Sequence, residues 1–193
     1  MSRAVFLDRD GVINEPVLDV RSGRPESPYR PEDVVLAEDA IDALRALHEA
    51  GFLLIVVSNQ PAAAKGTVGM DELRAVHGRV VELLAAHGVE LDDWRYCFHH
   101  PEGVVPALTG ACECRKPAPG MLLEAAREHG VDLAASWIVG DSDVDVQAGE
   151  AAGVKTVLVQ NPLTEHRRGG AAAQEIVRNL SEAAGIILDS RDR

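Results

Sequence analysis

The chain has 193 residues, 46% of them hydrophobic, and a formal net charge of −12. That length suits one domain, residues 1–193, with a sizeable core. No apolar run approaches the ~20 residues a spanning helix needs, and the acidic balance weighs against a nucleic-acid backbone as partner. A small phosphorylated ligand stays open, because bound cations and local basic residues can invert the field of a single pocket. Met1 leads almost directly into a strand, which leaves no room for a secretory leader. A soluble, cytoplasmic protein is expected, with monomer as the default.

Strand-like and helix-like segments alternate along the chain, the pattern of a doubly wound, Rossmann-like α/β fold with a parallel sheet. Ala4–Leu7 reads as the first strand, and the polar, proline- and arginine-rich stretch 14–36 as a loop or small insertion. Ile41, Leu44, Ala46 and Leu47 fall at helical spacing, and Gly51 stops that helix. Phe52–Val57 is a continuous apolar run, as in a strand buried on both faces. An amphipathic helix is predicted over Met70–His87, and a third strand over Trp94–Phe98. Irregular chain follows to Arg115. Pro117 suits the first position of a helix running to about His129, ended by Gly130. Trp137–Gly140 reads as a strand, followed by a short helix to Ala152 and a strand at Lys155–Val159. In the tail, a strand near Glu175–Arg178 and a helix from Leu180 capped by Asn179 compete with one long helix from Ala171.

The first strand runs into Asp8-Arg9-Asp10-Gly11. Residues i and i+2 of an extended segment project to the same side, so both carboxylates can face one site. Ligand crevices in doubly wound sheets lie at the carboxyl ends of strands. The other ends carry Ser58-Asn59-Gln60, Arg115-Lys116 and Asp141 of Gly140-Asp141-Ser142-Asp143-Val144-Asp145. The four sets fit phosphoryl transfer. Asp8 would attack phosphorus, Asp10 would serve as acid and base, Ser58 would bond the transferring group, and Lys116 would balance its charge. Asp8 and Asp141 are oxygen ligands suited to Mg²⁺. Each group also has a plainer reading: Ser58 and Asn59 as the start of a turn, Lys116 as a solvated helix start, Asp141, Asp143 or Asp145 as a helix N-cap.

The three cysteines, Cys97, Cys112 and Cys114, share one short segment with His99. An odd count in a cytosolic chain points away from disulfides. Three sulfurs and one nitrogen make a closed, structural zinc site; three unligated thiols are the alternative. With zinc bound, loop 97–114 would fix where Arg115 and Lys116 project.

Asp8-Arg9-Asp10-Gly11, Ser58, Lys116 and Gly140-Asp141 with Asp145 resemble the motifs of the haloacid dehalogenase (HAD) superfamily of phosphatases. Phe6 to Asn14, Ser58-Asn59-Gln60 and Cys114-Arg115-Lys116-Pro117 resemble more narrowly its branch acting on heptose 1,7-bisphosphates and histidinol phosphate. The likeness spans essentially the whole chain. It implies an Mg²⁺-dependent phosphomonoesterase with no large cap domain, removing the 7-phosphate of D-glycero-D-manno-heptose 1,7-bisphosphate, with histidinol phosphate as the alternative substrate. It further implies a zinc loop whose imidazole ligand is His99, not His100. Substrate contacts would come from Asp8, Arg9, Asp10, Ser58, Asn59, Gln60, Arg115 and Lys116, with Arg115 on the second phosphate or the sugar. Asp10 would reach the metal through its main-chain carbonyl. The chain departs from the branch after Asn14, where a His-Gly-Tyr segment is common: here Glu15-Pro16-Val17-Leu18 opens a longer loop with Arg21, Arg24, Tyr29 and Arg30. Two other classes share parts of this chemistry. A nucleic-acid end-phosphatase would want a basic stripe, and a phospho-acceptor signalling module has no use for Asp10.

Overall fold

The computed structural model describes residues 1–20 and 23–190. Six strands make one sheet in the order β5-β4-β1-β6-β7-β8: β1 Arg3–Leu7, β4 Phe52–Asn59, β5 Asp93–Cys97, β6 Trp137–Gly140, β7 Lys155–Val159 and β8 Glu175–Val177. Every pairing in it is parallel. The helices are α1 Ala40–Glu49, α2 Met70–Ala85, α3 Gly120–His129, α4 Asp143–Ala152 and α5 Leu180–Asp189.

The apolar runs of β1 and β4 follow from burial on both faces. Val5 and Leu7 join Leu54 and Val56 in a cluster with α1, α2 and α5, while Ala4 and Phe6 join Ile55 and Val57 in a second cluster with α3 and α4. A period of two sends alternate residues to opposite layers, so no polar face is left to break the run. Each fully buried aliphatic side chain contributes roughly 1.5–3 kcal/mol.

Register sets the site. Leu7 lies opposite Val56 of β4 and Val139 of β6, and the Asp8 N–H donates to Val139 O at 2.9 Å. After β1 the chain builds β4 and β5 on one side, then β6, β7 and β8 on the other. The strand order therefore reverses beside β1, where α/β sheets open a crevice, and Asp8 and Asp141 stand there.

Helix α2 ends at Ala85, two residues short of His87, and β5 is shifted by one residue to Asp93–Cys97; three departures are larger. The helix assigned to Pro117 begins at Gly120, because a turn closed by Ala118 N–H to Arg115 O (2.8 Å) comes first; the Lys116–Pro117 peptide is cis. Strand β4 runs on through Ser58 and Asn59, which pair with Tyr96 and Cys97. The stretch 14–36 holds a hairpin, β2 Val17–Asp19 with β3 Arg24–Glu26, and a 3-10 turn at Pro31–Asp33. In the tail, strand and helix prevail over one long helix: Asn179 Oδ1 accepts from the Glu182 N–H at 3.0 Å. No separate cap layer is present among the described residues, and no helix there is long and apolar enough to cross a membrane.

Candidate active site and metal centres

A cavity of about 360 Å³ lies at the carboxyl edge of the sheet, sized for one small ligand. Its walls include Asp8, Asp10, Ser58, Asn59, Arg115, Lys116 and Asp145. Residues from four strand ends, far apart in sequence, thus meet as the alternation of elements implies.

Lys116 is the hub. Its Nζ donates to Asp8 Oδ1 (3.0 Å), Val57 O (2.6 Å) and Asp145 Oδ1 (2.5 Å), which uses all three ammonium protons. Burial works against its charge, but Asp145 and Asp8 outweigh that and hold its pKa above the usual lysine value. It is no solvated helix start: 2% of it is exposed. Asn59 latches the same residue by its main chain, donating from Nδ2 to Lys116 O (3.0 Å) and accepting the Lys116 N–H (3.1 Å).

Asp10 is fixed by a ring of donors. Arg9 gives Nε to Oδ1 (3.0 Å) and Nη2 to Oδ2 (2.9 Å), Asn14 gives Nδ2 to Oδ1 (3.0 Å), and Gln60 gives Nε2 to Oδ2 (2.7 Å). Burial would raise the Asp10 pKa; Arg9 and the hydrogen bonds from Gln60, Ser27 and Asn14 prevail and pull it below the usual carboxylate range. Arg9 and Gln60, expected as substrate contacts, therefore have another placement. Both side chains are buried against Asp10 and do not line the cavity. Gln60 Nε2 also reaches Ser58 Oγ at 3.1 Å, tying the β4 end to the β1 loop.

The third group is acidic. Oxygens of Asp8, Asp141 and Asp145 all lie within 4.8 Å of one another. Asp145 is saturated: its Oδ2 accepts from the Ser142 N–H (3.2 Å) and Ser142 Oγ (2.5 Å), and its Oδ1 takes Lys116. Both carboxylate oxygens of Asp141 are buried without a hydrogen-bond partner. Burial, then the nearby Asp8 and Asp145, push its pKa up to about 8. A buried carboxylate left in this state is costly unless a cation lies against it. Asp8 and Asp141 are the pair with capacity to spare, which fits a hard divalent ion. Two glycines make the approach possible. At Gly11 (φ +93°) an added Cβ would stand 2.1 Å from Asp141 Oδ2, and at Gly140 one would stand 2.2 Å from Asp145 Cβ.

The N-cap reading of these acids needs correction. Ser142 holds the N-cap of α4, with Asp145 three residues on in a capping box, and neither Asp141 nor Asp143 takes that place. Asp145, for which the sequence suggests at most an N-cap, is instead the partner of Lys116. The signal for it was its spacing four residues after Asp141, which puts it on the first turn of α4, facing back to the sheet.

The cysteine group is assembled as well. Cys97 Sγ lies 3.5 Å from Cys112 Sγ and 3.2 Å from Cys114 Sγ, and Cys112 lies 3.3 Å from Cys114. His99 Nδ1 is 3.8 Å from Cys97 Sγ and 3.5 Å from Cys114 Sγ. A sulfur tetrahedron around one metal ion has edges of about 3.7 Å, so the four atoms could hold a metal. His100 points elsewhere, its Nδ1 accepting from the Glu102 N–H at 3.1 Å. The group adjoins the cavity through Arg115, whose Nη1 donates to His99 O at 3.2 Å.

The insertion contributes unforeseen residues. Glu26, the last residue of β3, and Ser27 after it line the cavity; Arg24, Tyr29 and Arg30 do not. Arg30 pairs with Asp33 (2.9 Å), and Arg21 lies outside the described residues.

Comparison with known proteins agrees with this geometry. Residues 113–183 match a HAD-hydrolase-like family model. Over 180 residues the chain is 39% identical to D-glycero-beta-D-manno-heptose-1,7-bisphosphate 7-phosphatase of Yersinia pestis, covering 93% of this chain and 92% of that one. The Escherichia coli K12 protein of the same name is 40% identical over 182 residues, with 93% and 90% covered. The chain belongs to this family of HAD-like phosphatases. Among solved structures, D,D-heptose 1,7-bisphosphate phosphatase from B. bronchiseptica, complexed with magnesium and phosphate, superposes with a TM-score of 0.79 at 30% identity, covering 97% and 99% of the two chains. Within the HAD-like phosphatase fold, the acidic group stands at the rim where β1 and β6 end, and the cysteine group closes the loop between β5 and Arg115.

Proposed function

We propose that the chain is an Mg²⁺-dependent phosphomonoesterase that removes the 7-phosphate of D-glycero-D-manno-heptose 1,7-bisphosphate through a phosphoaspartyl intermediate on Asp8. The observation that carries the chemistry is the pairing of Asp8 with Lys116 beside the Asp141 carboxylate, whose buried oxygens are left without a hydrogen-bond partner. The likeness to heptose bisphosphate phosphatases over nearly the full length supports the substrate.

Asp8 and Asp141 would hold Mg²⁺, with Asp10 adding its main-chain carbonyl. When bound there, the ion offsets the repulsion between a carboxylate and a phosphate dianion. Asp8 attacks phosphorus and the phosphate–oxygen bond to the sugar breaks. Asp10 gives a proton to the departing oxygen and regains one from the water that hydrolyses the acyl phosphate; because its donors favour the ionised form in the free site, it must enter the cycle already protonated. Arg9, Asn14 and Gln60 hold Asp10 in one orientation for both steps. Ser58 bonds the transferring phosphoryl group, Lys116 balances charge on Asp8 and that group, and Arg115 contacts the second phosphate or the sugar. One domain comprising residues 1–193, working as a monomer, suffices for all of this.

Comparing kcat/KM for phosphate release tests the substrate. Heptose 1,7-bisphosphate is expected to exceed fructose 1,6-bisphosphate and histidinol phosphate by about tenfold or more. A histidinol phosphate value above the heptose one would move the enzyme to the other activity of the branch.

Cys97, His99, Cys112 and Cys114 would bind structural Zn²⁺, and the ion orders loop 97–114, which has few apolar residues with which to order itself. Cys112→Ser is expected to lose zinc, read by elemental analysis, and to lower turnover by about tenfold or more. Full turnover without zinc would remove the loop from the catalytic account.

A further inference from the structure

Arg167 ends the 3-10 turn Pro162–Arg167 that follows β7, a fifth strand end outside the four sets discussed above. The turn is fastened to the site from two sides. Asn161 Nδ2 donates to Gly11 O at 3.3 Å, and the Gly169 N–H donates to Asp143 Oδ2 at 2.6 Å. Arg168 braces it internally, giving Nη1 to Asn161 O at 3.0 Å.

Arg167 lines the cavity. Its side chain is 25% exposed, and its nearest ion-pair contact is Asp141 Oδ2 at 3.8 Å, beyond hydrogen-bond range. It makes no hydrogen bond among the described residues, so its five donors are uncommitted. The other cations of the cavity are occupied to different degrees. Lys116 has no donor left, and Arg115 has given one to His99 O. A sugar bisphosphate brings a second phosphate that none of Asp8, Asp10 or Lys116 can serve, since those groups face the reacting one. A guanidinium fork matches a phosphate bidentately. With a cation against Asp141, the carboxylate's pull on Arg167 weakens and the fork is free for the ligand.

We propose that Arg167 is a receptor for the non-reacting phosphate, beside Arg115, and sets the preference for doubly over singly phosphorylated sugars. This rests on the activity proposed above.

The test compares Arg167→Ala and Arg167→Lys with the wild type on a heptose 1,7-bisphosphate and the matching 7-monophosphate, together with Mn²⁺ binding measured by calorimetry without substrate. Arg167→Ala is expected to lower the bisphosphate-to-monophosphate ratio of kcat/KM by about tenfold or more, mainly through KM, with Arg167→Lys intermediate. Mn²⁺ affinity is expected to stay level or rise, because a competing positive charge near Asp141 is gone. If both substrates lose rate in parallel and Mn²⁺ binds more weakly, Arg167 is a structural prop and the inference fails. An unchanged ratio also overturns it. A wild type that shows no preference for the bisphosphate would overturn the activity reading, and this inference with it.

Discussion

Asp8→Asn is expected to reduce phosphate release by on the order of 10⁴-fold or more, because an amide cannot take up phosphorus and the direct attack of water has no other route through this site. The variant should remain folded. Asp8 is buried beside Asp145 and Asp10; burial first, then those like charges, raise its pKa despite Lys116 and the Ser58 hydrogen bond. Removing the charge relieves part of that strain, and Lys116 keeps Asp145. A melting temperature equal to or above that of the wild type is therefore expected alongside the lost activity, a separation seen where function is built on destabilising charge. Trapping with labelled substrate should leave label on the wild-type protein and none on the variant. Substantial hydrolysis by the Asn variant, or label retained on it, would end the phosphoaspartyl account.

Asp10→Asn is expected to lower kcat on a sugar phosphate by roughly 10²–10⁴-fold. Divalent-ion affinity should be little changed, since the Asp10 carboxylate is engaged by Arg9, Asn14 and Gln60 and stands outside the acidic group of Asp8, Asp141 and Asp145. The leaving group supplies the decisive readout. p-Nitrophenolate departs without a proton, so the variant should release about one equivalent of p-nitrophenol in a burst and then turn over slowly, because the second step still needs a base. A sugar alkoxide needs the proton, and no burst of sugar is expected. The amide also sets an N–H against the donors around Asp10, at a stability cost of about 1–3 kcal/mol, to be read as a lower melting temperature. Equal losses on both esters with no burst would remove Asp10 from acid–base duty and leave it a structural role.

Much of the fold was legible because its signals are local. The apolar runs of β1 and β4, the stops at Gly51 and Gly130, and the cap at Asn179 depend on residues within one turn or strand. The strand ends that carry Asp8, Ser58 and Asp141 follow from those runs. The start of α3 was misplaced because Pro117 satisfies the local rule for a first helical residue, yet the chain between Arg115 and Gly120 turns to bring Lys116 inward.

The roles around the site were less legible. Arg9 and Gln60 sit in the motif like ligand contacts, but packing turns them onto Asp10. Asp145 was visible as a letter of the motif, and its partnership with Lys116 links residues 29 apart. Glu26, Ser27 and Arg167 reach the cavity from segments whose composition resembles any solvated loop.

From residue order come the parallel α/β architecture, the acids at the first and fourth strand ends of the core series, and the gathering of three thiols with an imidazole. These rest on periodicity and spacing, which act over a few residues. Which donors surround each acid, and which carboxylate is left bare for a cation, became evident only in the folded chain. Lys116 meets Asp8 across 108 positions, and burial removes the water that would otherwise have satisfied Asp141.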